Sequence, residues 1–293
     1  MNVFVSICTD TCIIVNNNNM EITEKQDLNN DPFFKNGSLL QTEEICLKYV
    51  KQNGYHLVYV KEQTEEICLE AVKQNPCCLG FVKEKTEKIC LEAVKQNGNT
   101  LEFISKSEQT EEICLEAVRE NGHSLYYVIE QTEEICLEAI RQKKSILECI
   151  LQNIIEQTEE MCLEAVKIKG TVLYYVKEQT EEICLEAVKQ NGLALGYVKE
   201  QTEEICLKAV KQNGKALQYV KEQTEQICFE AVKQNGLALK FSKKQTEDLC
   251  LEAVKQNGRS VYYSIIQTEE ICSEAIKQDK EAKHYIKAMI DVE

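Results

Sequence analysis

Proline is almost missing from this 293-residue chain: it has two, with 11 glycines and no tryptophan. So few helix breakers predict a chain that is mostly helical. Long apolar runs are missing too. None approaches the eighteen or so residues of a membrane span, so no membrane segment is expected. Cations are in deficit, with 34 Lys+Arg against 49 Asp+Glu and a formal net charge of -15. That balance disfavours nucleic acid as a partner, because phosphate binding is driven by clustered cations. Histidine is scarce, and His56, His123 and His284 lack a neighbouring pattern of triad or metal site. No phosphate-binding loop or dinucleotide fingerprint is present. These absences exclude the common enzyme classes, and neither catalytic residue, metal nor cofactor is expected.

What the chain does have is a period. A threonine recurs at residues 42, 64, 86, 110, 132, 158, 180, 202, 224, 246 and 268. The spacing is twenty-two residues, with two longer intervals after Thr86 and Thr132. With Thr as position one, the consensus reads T-E-E-I-C-L-E-A-V-K-Q-N-G-x-A-L-x-Y-V-K-E-Q. Thr is a good helix N-cap, the two Glu suit the positive end of the helix dipole, and Lys or Arg at position ten suits the negative end. Gly at position thirteen reads as a left-handed helix stop. Positions four, five, eight and nine then form the apolar face of a helix A, and fifteen, sixteen and nineteen that of a two-turn helix B. Neither helix is stable alone, so each unit must stack on its neighbours.

The predicted fold is all-α: an α-solenoid of eleven helix–turn–helix copies over residues 42–293. The last copy, 268–293, is a polar C-terminal cap, with Ser273 and Lys283 where other copies carry Leu, Phe or Val. Leu at six and sixteen is therefore expected to pack forward onto the following copy. Residues 21–41 echo the repeat in Lys35-Asn36-Gly37-Ser38-Leu39-Leu40 and are expected to be a degenerate N-terminal capping unit. Residues 1–20 are expected to be a poorly ordered segment with an Asn-rich linker at 16–19, and a translation start at Met20 is an alternative to one at Met1. Two rival architectures are weaker. A continuous helix in a right-handed coiled coil would carry interior glycines and Pro76. A leucine-rich repeat would need its own Leu/Asn pattern, which is absent. The fifth copy, 132–157, has Lys144 in place of Gly and four inserted residues, so a bend or change of pitch is expected there.

The segments AVKQNGLALGYV (187–198), AVKQNGKALQYV (209–220) and AVKQNGLALKFS (231–242) resemble a helical repeat family of unknown function, abundant in giant DNA viruses of the mimivirus type. The likeness rests on the N-G-x-A-L-x-[YF] core and covers most of the chain. It departs where the family has Asp before helix A, here Thr. It implies a viral protein, acting in the host cytoplasm or the particle. It supplies no catalytic residues, since the family has no assigned chemistry.

Three rows invite a functional reading. Cys stands at position five of every copy, from Cys46 to Cys272. Helix layers roughly 8–10 Å apart are too far for disulfides, so this row reads as small apolar core. Free thiols agree with a reducing intracellular location. The vicinal Cys77-Cys78 and the Cys8–Cys12 pair are weaker redox or metal candidates. The basic row at position ten, from Lys51 to Lys277, could follow a phosphate backbone, unless Glu at position seven neutralises it. Position eighteen is aromatic in every copy but the fifth, where Cys149 stands, and reads as a half-buried packing row.

The rows that vary carry the partner hypothesis. Positions fourteen and seventeen differ from copy to copy while the framework is constant. Tyr55, His123, Tyr126, Thr171, Tyr174, Lys215, Gln218, Lys240, Arg259 and Tyr262 are the candidate recognition face. The expected function is a non-enzymatic protein-interaction scaffold. The alternatives are a nucleic-acid-binding virion component and, below it, a thiol or metal buffer.

Overall fold

A computed structural model describes residues 3–4, 13–16, 19–22, 41–142 and 147–287. The chain divides into two compact blocks, Met1–Glu130 and Gln131–Glu293. The first holds copies one to four and the second holds copies five to eleven.

Helix A is an α-helix of ten residues in every copy, from Glu43–Gln52 to Glu269–Gln278. Its residues are strong helix formers, and Ala at position eight is fully buried from Ala71 to Ala275. The Thr side chain caps it as expected: Thr180 Oγ1 accepts from the Ile183 N–H at 3.4 Å. The same hydroxyl donates to the position-two carboxylate of the preceding copy, as in Thr180 to Glu159 at 2.8 Å.

Helix B departs from expectation. In ten copies it is a six-residue 3-10 helix, such as Gly192–Tyr197, and not two α-helical turns. Three residues per turn bring positions thirteen, sixteen and nineteen onto one edge. Those positions are buried, as in Gly192, Leu195 and Val198, and position fifteen is buried beside them, as in Ala194. The chain enters each 3-10 helix through an extended residue at position twelve, Asn191 at φ -150°, ψ 108°. That break rules out the continuous helix. The Asn191 side chain then accepts from the Leu193 N–H and caps the 3-10 turn.

The glycine at position thirteen is required for space, not for a left-handed stop. A Cβ on Gly192 would lie 2.5 Å from the Ala209 carbonyl oxygen of the next copy, and one on Gly98 would lie 2.2 Å from that of Ala117. Backbone therefore packs directly on backbone between copies. The freed Gly192 N–H donates to Gln212 Oε1 of the next copy at 2.7 Å.

Within each block the A helices of successive copies pack together, and each 3-10 helix packs on helix A of the next copy. Leu at position sixteen is the forward anchor: Leu57, Leu173 and Leu239 are fully buried, while its counterpart Lys283 in the last copy is exposed. Leu at position six is only half-buried in most copies, so it contributes less to that contact than expected.

Copy five differs. Its second helix, Leu147–Asn153, is α-helical and buries Leu147, Ile150 and Leu151 at α spacing. Lys144, with 143–146, lies outside the described residues, and so does the test of a bend there. At the N-terminus, three short antiparallel strands pair in the order β1 (Val3–Phe4), β2 (Ile13–Asn16), β3 (Asn19–Ile22). Asn16 and Asn19 face each other in that ladder, an addition to the helix-only expectation. Residues 23–40 of the expected capping unit lie outside the described residues.

Candidate functional site

Burial along the 3-10 helices is fixed by their edge-on packing, and this sorts positions fourteen and seventeen outward. With three residues per turn, the two eclipse one another on one side. His123, Lys215 and Arg259 at fourteen are exposed, and Tyr55 and Thr171 are half-buried. At seventeen, Tyr126, Tyr174, Gln218, Lys240 and Tyr262 are all exposed, Tyr174 to 66% and Tyr262 to 57%. Within each block the candidate residues therefore share the outer side of the 3-10 helices.

Position seventeen is not independent of its neighbours. Its side chain lies against the position-eighteen aromatic of the next copy. Tyr174 meets Tyr197 edge-on, with ring centroids 5.6 Å apart, and Tyr262 meets Tyr285 at 5.5 Å. Lys240 Nζ sits 4.6 Å from the Phe241 ring centroid and 5.9 Å from that of Tyr263. At Gly196 the ring of Tyr219 takes the vacant place. In the N-terminal block, Tyr55 packs edge-on against Phe81 and its hydroxyl accepts from Asn75 Nδ2 at 3.0 Å.

The rest of the described surface is different in kind. The exposed large apolar side chains among the described residues are Tyr126, Ile129, Ile155, Tyr174, Tyr197, Tyr219, Tyr262, Ile265 and Tyr285. All but Ile155, which follows the α-helix Leu147–Asn153, stand on a 3-10 helix or in the loop that follows one. Helix A instead exposes Glu, Gln and Lys.

The basic row is met by carboxylates in part, at six of its eleven members. Lys73, Arg119, Lys189 and Lys277 pair with position-seven Glu of their own helix, at 2.8–3.2 Å. Arg141 pairs with Glu164, and Lys211 approaches Glu230, in the following copy. The cysteine row is buried, and burial pushes the Cys68, Cys90, Cys114, Cys136 and Cys162 thiols up to about 11. Protonated thiols are poor nucleophiles and poor metal ligands. Cys78 is buried and pushed up to about 12, Cys77 is partly exposed, and Cys149 is exposed. Cys8 and Cys12 lie outside the described residues. Among the described residues, His, Cys, Asp and Glu form no group of three that could hold a metal, and no helix is long and apolar enough to cross a membrane.

Sequence reasoning missed the glutamine at position twenty-two. Gln179 Nε2 donates to the Leu173 carbonyl of one copy and the Tyr197 carbonyl of the next, while its Oε1 accepts from the Lys199 N–H. The same three bonds recur at Gln201 and Gln223. One amide thus closes the open end of two 3-10 helices. The available signal was its near-constancy at a polar position with no helix of its own.

Stacked two-helix units of this kind define an α-solenoid repeat protein. More particularly, the family model for DUF4116, a domain of unknown function, matches at residues 42–86, 64–109, 86–132, 110–155, 158–201, 180–225, 202–245 and 224–265, and the chain belongs to that family. Each match spans two successive copies. No curated protein and no solved structure matches the chain.

Proposed function

We propose that this chain is a non-enzymatic scaffold that binds protein partners through the outer side of its 3-10 helices, at positions fourteen and seventeen. The observation that carries the reading is the segregation of exposed apolar surface. Tyr126, Tyr174 and Tyr262 stand on that side, with the partly exposed position-eighteen rings of Tyr197 and Tyr219 beside it, while helix A presents charge. Tyrosine is enriched at protein interfaces because it offers large contact area at small entropic cost. The resemblance of the N-G-x-A-L-x-[YF] core supports a giant-virus setting, in the host cytoplasm or the particle.

Nucleic-acid binding through the position-ten row has less support, since Glu70, Glu116, Glu186 and Glu274 already engage its cations. A thiol buffer has less still, because the cysteine row is buried and protonated.

Proximity labelling by the full chain in cells that produce it tests the proposal. The expected result is a dominant protein partner whose labelling is lost in Tyr174→Ala/Tyr262→Ala and kept in Lys73→Ala/Lys189→Ala. Loss in the second variant alone, or retention in both, overturns it.

A further inference from the structure

The outer face of copies six to ten has a charge opposite to that of the protein. Five successive 3-10 helices, Gly170–Tyr175, Gly192–Tyr197, Gly214–Tyr219, Gly236–Phe241 and Gly258–Tyr263, contain no Asp or Glu. Their charged residues are Lys215, Lys240 and Arg259, in a chain of net charge -15. The three cations fall one per copy, in three consecutive copies, all on the exposed side. The exposed rings of Tyr219 and Tyr262 stand on the same 3-10 helices as Lys215 and Arg259, and that of Tyr197 on the helix before.

Each cation is presented differently. Lys240 is held over the Phe241 and Tyr263 rings, which fixes its ammonium at the surface. Lys215 makes no ion pair among those found in the described residues. Arg259 Nε donates to Asp279 Oδ2 at 2.6 Å, so its charge is partly met within the chain, and its guanidinium has further N–H donors beyond that bond.

We propose that this face binds an acidic protein segment in extended conformation, with a carboxylate at about every third residue and apolar side chains between. The inference rests on the scaffold reading above and names the chemistry of its partner. The spacing supports it: helix layers lie roughly 8–10 Å apart, and three residues of an extended or polyproline-type chain advance about 9–10 Å. Successive carboxylates would thus meet Lys215, Lys240 and Arg259 in step with the repeat, while the intervening side chains cover the tyrosine rings. A nucleic acid would bring a phosphate with every nucleotide, a denser charge than one cation per layer can match on an acidic protein.

Fluorescence anisotropy with the full chain tests this. The probes are a labelled fifteen-residue Glu-Pro-Val repeat, a peptide of the same composition with its Glu residues clustered, a Lys-Pro-Val repeat, and a labelled thymidine oligonucleotide. The Glu-Pro-Val repeat is expected to bind saturably and to weaken as salt rises, as exposed charge pairs do. Lys215→Glu/Lys240→Glu is expected to weaken it at least about tenfold, a loss of about 1.4 kcal/mol, with the circular dichroism spectrum unchanged. The milder Lys215→Gln/Lys240→Gln, which cannot fail through introduced repulsion, is expected to give a smaller loss of the same sign. Absence of saturable binding, equal binding of the clustered peptide, equal binding by both double variants and the parent chain, or preference for the oligonucleotide would each overturn the proposal. The scaffold reading falls separately, if the Tyr174→Ala/Tyr262→Ala variant keeps its cellular partner.

Discussion

Most 3-10 helices of Met1–Glu130 and of Gln131–Glu293 share a capping Asn or Asp at position twelve, a buried Gly at thirteen and a buried Leu or Val at sixteen; Lys169, Pro76, Lys280 and Lys283 are exceptions. Their outer faces differ. In the first block the four helices, Gly54–Tyr59, Pro76–Phe81, Gly98–Phe103 and Gly122–Tyr127, carry no Lys or Arg, and Glu102 is their one carboxylate. In the second, the 3-10 helices of copies six to ten carry no carboxylate and those of copies eight to ten one cation each, while Glu148 and Glu281 stand in copies five and eleven. Framework and face are therefore separable in this repeat. Hydrogen bonds and buried backbone contacts hold the copies in register, and positions fourteen and seventeen are left to set what each block presents.

The sharpest way to break that separation is through glycine. Gly192→Ala and Gly98→Ala place a methyl against a carbonyl of the next copy, in one block each. Both are expected to cost roughly 2–3 kcal/mol in urea unfolding. Gly196→Ala, on the outer face, meets only the movable Tyr219 ring at 3.2 Å, and should fall within about 0.5 kcal/mol of the parent. Equal costs at Gly192 and Gly196 would mean that the face is framework too.

The glutamine row separates the blocks next. It is unbroken from Gln157 to Gln267 in the second block, but in the first Lys85 stands in its place and reaches only the Val82 carbonyl. Gln201→Ala should cost about 2 kcal/mol, since it strands two carbonyls and an N–H. Lys85→Gln should stabilise by about 1 kcal/mol if it restores the bonds that Gln109 makes one copy later.

Thiols give a pH signature. Cys68 and Cys162 hold their protons to about 11 in the folded chain, against an ordinary value of 9.0. Above that ordinary value the unfolded chain binds fewer protons than the folded one, so stability falls as pH rises from about 9 to about 11 and is undiminished below. Melting temperatures across that range check the sign in both blocks. At pH 8, mass-mapped alkylation should modify Cys149 well before Cys68, Cys90 or Cys162.

The smallest expected effect is at Ser260, whose buried hydroxyl has no hydrogen-bond partner among the described residues. Copies seven to nine carry Ala there, as at Ala238. Ser260→Ala should be neutral or stabilise by up to about 1 kcal/mol.

Much of this architecture was legible in the residues. Thr, the paired Glu and the position-ten cation mark helix A because capping and dipole effects act locally. Helix B was misread because Ala, Leu and Val at fifteen, sixteen and nineteen fit an α pattern. The deciding triplet is Gly, Leu and Val at thirteen, sixteen and nineteen, whose glycine looks apolar only once its contact with the next Ala carbonyl is known. The glycine stop and the glutamine bridge were hidden likewise, because both depend on a neighbouring copy. The outward placement of positions fourteen and seventeen followed from their variability. Their pairing with the next aromatic did not, since it arises from the stacking itself.

Side-chain footprinting of the partner-bound full chain by hydroxyl radicals tests the central claim most directly. Protection of Tyr174, Tyr197, Tyr219 and Tyr262, with the Glu-rich side of helix A unchanged, is the result expected for a scaffold that reads through its 3-10 face. Protection of helix A with those tyrosines still reactive would contradict it.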